Sequence, residues 1–229
     1  MTIANQWQGI AQANKKIQET KNQVLNPKLL KAVYENTKPQ SMVFDYGCGW
    51  GEFANLLAQE KHQVYAFDKS NQMITNAKEK FSKPKFIYAQ DFENYFPLYK
   101  KSFDLVVSNL VLCILEESEQ DLMLSRIKKL IKKEGAIIIS LCHPCFDYEE
   151  NSMVSQRIVE PGVKYDQTFK YRKQVHENHL EFSDYHRPLA YYTQLFKHHG
   201  LRIENIMESD LLGTNHKPDF IIFVLKKAL

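Results

Sequence analysis

Short apolar runs alternate with longer stretches of helical periodicity along most of the chain. Near-continuous apolar runs are typical of parallel strands that are buried on both faces of a sheet. The predicted strands cover residues 41–46, 63–67, 85–89, 103–108, 136–141, 201–206 and 220–225. Because strands alternate with helices, the pattern predicts an α/β fold with a doubly wound, mostly parallel sheet and right-handed crossovers.

Capping residues indicate where the helices between these strands begin and end. Ser70 and Ser118 are predicted N-caps, and Gly135 is expected to end the helical segment that Ser118 begins. Pro188 begins a later helix that Gly200 ends. Further helices are predicted over residues 4–20, 26–36 and 51–60, with Asn26 and Pro27 as the N-cap and first residue of the second.

The alternation of strands and helices stops between residues 143 and 187. The segment contains the turn signal Pro161-Gly162 and three stretches that could form short strands, at 163–165, 168–171 and 180–182. Its aromatic residues are Phe146, Tyr148, Tyr165, Phe169, Tyr171, Phe182 and Tyr185. These aromatics could line an apolar pocket, form the core of a small hairpin, or cover a dimer surface.

A glycine-rich loop follows the first predicted strand and carries the most informative motif. Gly47, Gly49 and Gly51 occupy alternate positions, and Asp45 precedes them by two residues. An acid at that position would repel a pyrophosphate but suits a cationic amine, so the spacing disfavours a dinucleotide site. Asp68 ends the second strand, where an acid can accept both hydroxyls of a ribose.

This combination resembles motif I of the class I S-adenosylmethionine-dependent methyltransferases. The resemblance implies that Asp45 and the glycine loop hold the methionine end of the cofactor and that Asp68 holds its ribose. It also implies a seven-stranded Rossmann-like methyltransferase fold with an antiparallel C-terminal hairpin, and it covers residues 28 to 229 apart from the insertion. The cofactor implied is S-adenosyl-L-methionine.

Two more segments at the carboxyl ends of the strands match positions at which the family binds its cofactor. Asp91 and Phe92 follow the third strand, where the family places an acid on the adenine amino group and an apolar neighbour against the ring. Asn109 follows the fourth strand and lies in the region that lines the methionine and methyl groups. The residues expected to bind the cofactor are Asp45, Gly47, Cys48, Gly49, Gly51, Asp68, Lys69, Met73, Asp91, Phe92, Asn109 and Leu110.

The same fourth segment bears on the methyl acceptor. Enzymes of the family that methylate planar amines of DNA and of many proteins carry D/N-P-P-Y/F there, whereas this chain has Ser108-Asn109-Leu110-Val111. Transfer to adenine N6 or to a glutamine-type amide is therefore disfavoured. Residues 185–189 are similar to a stretch of small-molecule methyltransferases of this class. This resemblance implies a small-molecule acceptor, with the 143–187 segment as a lid that selects it. His143 follows the fifth strand and is the candidate general base, and residues 185–187 are the second candidate.

Composition limits the remaining classes of partner and location. The formal net charge of +3 is too small to indicate nucleic-acid binding. Four cysteines do not form a disulfide framework in a chain of 229 residues, and Cys142-x-x-Cys145 has no second pair, so no metal is expected. The sequence shows no apolar run long enough for a membrane span and no secretory signal, which predicts a cytoplasmic protein.

Several alternatives stay open at this point. A methyltransferase of RNA or protein is one, and a non-catalytic cofactor-binding or partner-binding protein is another. A nicotinamide dehydrogenase is disfavoured by the glycine spacing and by Asp45. The chain is expected to form a single domain over residues 1–229, with residues 1–40 as a helical cap. The resemblance implies that these N-terminal helices, with Trp7, close over the cofactor. The oligomeric state is undetermined, and a dimer is one alternative.

Overall fold

The computed structural model describes residues 15–146, 155–175, 181–213 and 216–228. A seven-stranded sheet forms its centre, with the strand order β3-β2-β1-β4-β5-β10-β9. Its strands are β1 (Met42–Tyr46), β2 (Gln63–Phe67), β3 (Lys85–Ile87), β4 (Phe103–Asn109), β5 (Ile131–Cys142), β9 (Leu201–Glu208) and β10 (Phe220–Lys227). The first five are parallel, and β10 is antiparallel to both β5 and β9. The predicted sheet and its antiparallel C-terminal hairpin are confirmed.

Alternating side chains along each strand divide the core between the two faces of this sheet. On β1, Phe44 and Tyr46 belong to one apolar cluster, whereas Val43 belongs to the cluster on the opposite face. The chain proceeds from β1 outwards through β2 to β3, and then returns to place β4 on the other side of β1. The order therefore reverses at β1, and this is where doubly wound sheets open a crevice at the carboxyl ends of their strands.

The N-terminal helical region differs from its prediction. Helix α1 (Lys15–Thr20) continues through a π-helical turn (Lys21–Leu25) into α2 (Asn26–Asn36), so Asn26 is not an N-cap. Asn26 has helical dihedral angles, and its side-chain amide donates to Asn22 Oδ1 at 2.6 Å. The wider π-helical turn accommodates Pro27, which lacks an N–H and would clash in a regular helix interior. The predicted helix from residue 4 to 14 and Trp7 lie outside the described residues.

The remaining helices are α3 (Glu52–Gln59), α4 (Asn71–Lys80), α5 (Ala89–Tyr95), α6 (Glu117–Leu130) and α7 (Leu189–His198). Ser70 caps α4 as predicted, and its hydroxyl accepts from the N–H of Met73 at 3.3 Å. Helix α6, in contrast, is capped by Glu116, which forms a capping box with Glu119, and not by Ser118. None of the helices in the described ranges is long and apolar enough to cross a membrane.

Gly135 does not end a helix, because α6 already ends at Leu130 and β5 begins at the next residue. The pairing of β5 with β4 is irregular at this point: Phe103 pairs with Ile131, and Leu105 with Ala136. A Cβ atom on Gly135 would lie 2.9 Å from the carbonyl oxygen of Asp104. The glycine is therefore explained by close approach of two backbones within the sheet.

The insertion folds as a small antiparallel sheet with the order β6-β7-β8. Its strands are β6 (Ser155–Ile158), β7 (Phe169–Val175) and β8 (Glu181–His186). The predicted strands at 168–171 and 180–182 overlap β7 and β8, but residues 163–165 are not a strand and β6 was not predicted. The aromatic residue Tyr148 lies outside the described residues.

Candidate functional site

The glycine loop is held against the end of β2 by its own backbone. The N–H groups of Gly47 and Cys48 donate to the carbonyl oxygen of Phe67 at 2.7 and 2.9 Å. Gly47 has a φ of +84°, and a Cβ atom there would clash with the side chain of Val111. A residue with a side chain would be strained in φ and would collide with the neighbouring loop, so glycine is required here.

Asp45 is almost completely buried where β1 ends, and its carboxylate lines a cavity of about 440 Å³. No hydrogen-bond donor among the described residues reaches either of its oxygens. Burial raises the pKa of Asp45 to about 7, Lys21 acts to lower it, and Asp68 acts to raise it further. A buried carboxylate without a donor is costly unless a ligand supplies one, so this position fits a cationic or hydrogen-bond-donating group.

Asp68 joins the two loops at the edge of the cavity. Its Oδ2 accepts from the N–H of Gly49 at 2.9 Å, and its Oδ1 accepts from the N–H of Ser70 at 2.8 Å. Burial raises the pKa of Asp68, and these two backbone donors act in the opposite direction. Each carboxylate oxygen can accept a further hydrogen bond, so Asp68 can hold the loop and still receive a pair of hydroxyl groups.

Lys21, in the π-helical turn, also lines the cavity and was not predicted from the sequence. Burial lowers the pKa of Lys21, while the carboxylates of Glu52 and Asp45 act to raise it. The cavity thus contains an ammonium group and a carboxylate group close enough to influence each other. Lys21 and Asp45 are 24 residues apart and are brought together only by the packing of the N-terminal helices, so no local motif marks the lysine.

An apolar side of the cavity is formed by residues of β2, α4 and α5. Phe92 is 2% exposed, and its ring centroid lies 4.2 Å from that of Phe67. Met73 and Ala89 line the same cavity. Asp91 is half-buried in the first turn of α5 and is not among the cavity-lining residues, so its predicted contact with adenine stays a prediction.

Charged pairs flank this apolar side. Arg126 pairs with Glu93 and lies over the Phe92 ring, with its guanidinium carbon 5.0 Å from the ring centroid. Lys69 Nζ lies 2.7 Å from Glu119 Oε1 and connects the turn after β2 to α6. Lys69 was predicted as a cofactor residue and does line the cavity, whereas Arg126 was missed because it comes from the middle of a helix without a motif.

The segment after β4 is held in an unusual conformation. Leu110 has a φ of +60°, and its N–H donates to the backbone and side-chain oxygens of Ser140 at 3.1 and 3.2 Å. The Ser140 hydroxyl donates to Asn109 Oδ1 at 2.7 Å, which fixes the orientation of the Asn109 amide. The Asn109 Nδ2 is buried without an acceptor in the described part of the chain, so it can donate to a ligand in the cavity. Strain of this kind is common where a backbone is held for binding.

The small sheet forms another wall of the cavity. Ser155, Arg157, Lys173, Phe182 and Asp184 line it, and all come from the inward faces of β6, β7 and β8. Lys173 Nζ lies 2.5 Å from Asp184 Oδ2, and both side chains are nearly inaccessible to solvent. Lys173 is buried on the same face of β7 as Tyr171, but the sequence Tyr-Arg-Lys-Gln at residues 171–174 has no alternation of apolar and polar residues that could have indicated it.

His143 does not reach the cavity wall. Its Nε2 lies 3.0 Å from Glu208 Oε1, and its Nδ1 accepts from the N–H of Cys145 at 3.3 Å. Both ring nitrogens are therefore engaged in connecting β5 to β9 and to the turn after β5. The prediction that His143 acts as the base has no support from this geometry.

Residues 185–187, the second candidate for the general base, make contacts within the fold and do not reach the cavity. Tyr185 donates to Glu116 at 3.2 Å, and a ring nitrogen of His186 lies 2.7 Å from the carbonyl oxygen of Tyr165. Arg187 is 1% exposed and donates to the carbonyl oxygens of Cys113 and Leu115 at 3.4 and 2.7 Å. These residues connect β8 to the turn after β4, and none of residues 185–187 lines the cavity.

The cavity lies at the carboxyl ends of the parallel strands, beside the point where the strand order reverses. An acid and a glycine loop end β1, a second acid ends β2, and an antiparallel β9–β10 hairpin completes the sheet. This fold and site define the class I S-adenosylmethionine-dependent methyltransferases. The sequence model of the methyltransferase domain family matches residues 37–194. The chain belongs to that family.

Individual relatives agree with this assignment. An uncharacterized methyltransferase of Bacillus mycoides is 31% identical over 98 residues, which cover 43% of this chain and 45% of that protein. The match thus spans less than half of the relative's length. The PH0226 protein of Pyrococcus horikoshii has the same fold, with a TM-score of 0.70, 19% identity, and coverage of 93% of this chain and 92% of that one.

A third similar protein has a solved structure that contains two bound small molecules. It is the 1,6-didemethyltoxoflavin-N1-methyltransferase of Burkholderia thailandensis, with bound 1,6-didemethyltoxoflavin and S-adenosylhomocysteine. The TM-score is 0.55 at 14% identity, and the alignment covers 89% of this chain and 76% of that one. At this identity the likeness extends to the fold.

Proposed function

We propose that this protein transfers a methyl group from S-adenosylmethionine to a small-molecule acceptor. The observation that carries the proposal is the buried, donor-free carboxylate of Asp45 at the end of β1. When bound, the cofactor supplies an electrophilic methyl group on a sulfonium. The work left to the protein is to bind the cofactor, orient the acceptor and exclude water.

Each end of the cofactor has matching groups in the cavity. Asp45 accepts from the ammonium of the methionine moiety, and Lys21 provides the opposite charge for its carboxylate. Asp68 accepts from the ribose hydroxyls, and Phe92 packs against the adenine ring. Asn109 donates from Nδ2 near the methionine end. The positive and negative groups of the cavity thus complement a zwitterionic amino acid, which a pyrophosphate-containing cofactor lacks.

The acceptor side of the proposal rests on the insertion. Residues 143–187 contribute the small sheet whose inward face lines the same cavity. The relative from Burkholderia thailandensis is a 1,6-didemethyltoxoflavin-N1-methyltransferase, and the net charge of +3 is smaller than is typical of RNA-binding proteins. We propose the insertion as the lid that selects the acceptor. Four free cysteines support the proposal of a cytoplasmic location.

Calorimetry tests the cofactor assignment directly. The purified protein, verified free of co-purified ligand, is titrated with S-adenosylmethionine, S-adenosylhomocysteine and NAD. We expect micromolar binding of the first two and none of NAD. Asp45→Asn should weaken both interactions at least tenfold, and Asp121→Asn, which changes an exposed acid on α6, should not. Absence of binding to folded protein would refute the proposal and favour a partner-binding role.

An acceptor screen tests the proposal that the methyl acceptor is a small molecule. Formation of S-adenosylhomocysteine is followed against pooled hydroxyl, amine and thiol metabolites, with total RNA and protein extract as separate pools. Turnover with a metabolite pool supports a small-molecule acceptor. Turnover confined to the RNA or protein pool would overturn it.

A further inference from the structure

Two thiols and a carboxylate meet in the cavity wall beside the small sheet. Cys113 lies in the 3₁₀ turn after β4, Cys142 is the last residue of β5, and Asp184 lies on β8. Their two Sγ atoms and a carboxylate oxygen lie within 4.8 Å of one another. In the parts of the chain that the structure describes, no other group of histidine, cysteine and acidic side chains satisfies this criterion. All three residues line the cavity.

This group could not be recognised from the sequence, because its members are far apart along the chain. The spacing Cys142-x-x-Cys145 suggests that these two thiols lie together, but Cys145 Sγ lies 3.8 Å from the hydroxyl of Tyr165 and is not part of the group. Parallel pairing of β4 with β5 brings Cys113 beside Cys142, and the inserted strand β8 adds Asp184. The set therefore depends on the insertion as well as on the central sheet.

The donor atoms indicate which cations would bind. Thiolates favour soft or borderline cations such as Zn²⁺ over Mg²⁺ and Ca²⁺, which take oxygen ligands. Three protein ligands with a fourth position left for a small molecule is the arrangement of zinc sites that bind exchangeable ligands. Here that fourth position would face the cavity, because all three side chains line it.

The charges around the group are consistent with a bound divalent cation. Two thiolates and one carboxylate carry three negative charges, so a divalent cation leaves one negative charge on the complex. Lys173 supplies the balancing positive charge: its ammonium donates to Asp184 and to Cys142 Sγ, the latter at 3.1 Å. The other carboxylate oxygen of Asp184 accepts from the N–H of Tyr185 at 2.8 Å, and such outer hydrogen bonds orient metal ligands.

We propose that Cys113, Cys142 and Asp184 bind a thiophilic divalent cation, with Zn²⁺ as the first candidate, at the wall of the cavity. Binding replaces the contact of Lys173 with Cys142 and releases the two thiol protons to solvent, with no change of oxidation state. Lys173 stays beside Asp184 as the counter-charge. An acceptor with a thiol or hydroxyl group could occupy the fourth position, a consequence that rests on the proposed methyl transfer. The cation site itself does not depend on the methyl transfer.

Cadmium provides the test, because cadmium–thiolate bonds absorb in the ultraviolet and report sulfur ligation directly. The reduced full-length protein is stripped with a chelator and titrated with Cd²⁺, and Zn²⁺ is then used to compete. We expect one equivalent of Cd²⁺ with the absorbance of two thiolates, displacement by Zn²⁺, and no displacement by Mg²⁺.

Matched variants assign the ligands. Cys113→Ser and Cys142→Ser should each halve the absorbance and weaken binding at least tenfold, whereas Cys145→Ser should leave both unchanged. Asp184→Asn keeps both thiols and should retain the band with weaker binding, which serves if a cysteine variant fails to fold. No absorbance in the wild type, or a band that survives loss of Cys113 and Cys142 together, would overturn the site. S-adenosylmethionine binding is measured on the same samples, so that failure of the cation site is distinguished from failure of the cofactor assignment.

Discussion

The carboxylate of Asp68 accepts a hydrogen bond from the backbone N–H of Gly49, across a separation of 2.9 Å. The acid that ends β2 thereby fixes the loop that follows β1, and the two halves of the proposed cofactor site are one hydrogen-bonded unit. A change in either residue should affect the geometry of both.

Substitution of Asp68 should therefore cost more than the ribose contacts alone. We expect Asp68→Ala to weaken S-adenosylmethionine binding by at least about 1–3 kcal/mol, since it removes the ribose acceptor and releases the loop at Gly49. Calorimetry measures the change, and Glu79→Ala on the exposed part of α4 is the control. Unchanged affinity in the folded variant would refute the ribose assignment.

Cofactor binding should depend on pH through Asp45. Its pKa of about 7 in the unliganded protein means that the carboxylate is partly protonated at neutral pH. A cationic ligand binds the ionised form, so affinity should rise as pH increases and level off above about 7, with a limiting change of about tenfold per pH unit below it. Asp45→Asn should bind weakly and without this dependence. A wild-type affinity that is flat between pH 5.5 and 8.5 would contradict the role of Asp45.

The stability of the unliganded protein should show the opposite dependence. Because the pKa of Asp45 is raised above its usual 3.8, the folded state holds this proton more tightly than the unfolded state does. The contribution of Asp45 to stability is therefore fully present below about pH 3.8 and is lost as pH rises towards 7. Thermal unfolding of wild type and Asp45→Asn between pH 5 and 8 measures it: the variant should lose less stability over that range. Parallel pH profiles would show that Asp45 is not the group responsible.

Lys21 should influence the pH at which S-adenosylmethionine binding changes. Its positive charge lowers the pKa of Asp45, so Lys21→Met should move the midpoint of S-adenosylmethionine binding to higher pH and also weaken binding at saturation pH. Lys28→Met is the matched control, because Lys28 forms an ion pair with Asp210, 2.8 Å away, outside the cavity. If the midpoint of the Lys21 variant equals that of wild type, Lys21 does not act on Asp45.

Substitution of His143 should affect the stability of the protein and not its affinity for the cofactor. His143→Ala removes the contacts to Glu208 and Cys145 and should lower the free energy of unfolding by about 1–3 kcal/mol. Affinity for S-adenosylmethionine should stay within twofold of wild type. His216→Ala, at an exposed position, should change neither quantity. A variant of normal stability that has lost turnover with an identified acceptor would restore His143 as a candidate base.

Local sequence patterns were sufficient to predict the part of the fold in which strands and helices alternate. Apolar runs located all seven strands of the main sheet. The glycine loop, Asp45 and Asp68 were recognisable because each lies at or directly after the end of one of these strands. Helix ends were less certain: Ser118 and Asn26 have good capping chemistry, but Glu116 with Glu119 and a π-helical turn determine the structure there.

The rest of the site depends on contacts between distant segments. Lys21, Arg126 and Lys173 enter the cavity from three different elements, and no spacing rule relates them to the glycine loop. His143 was placed at the correct edge of the sheet, but β9 supplies Glu208 to its ring and takes it away from the cavity. The direction of a side chain after a strand is decided by the packing of its neighbours, which the pattern of a single sequence does not contain.

The segment that forms the small sheet is inserted between β5 and α7, after all the strands on the side of the main sheet that carries Asp45 and Asp68. Residues on the inward faces of β6, β7 and β8 can therefore change without altering the groups proposed to bind the cofactor. Substitutions on the inward face of the insertion could therefore change the preference for the methyl acceptor, in evolution or by engineering, while the residues proposed to bind the cofactor stay the same.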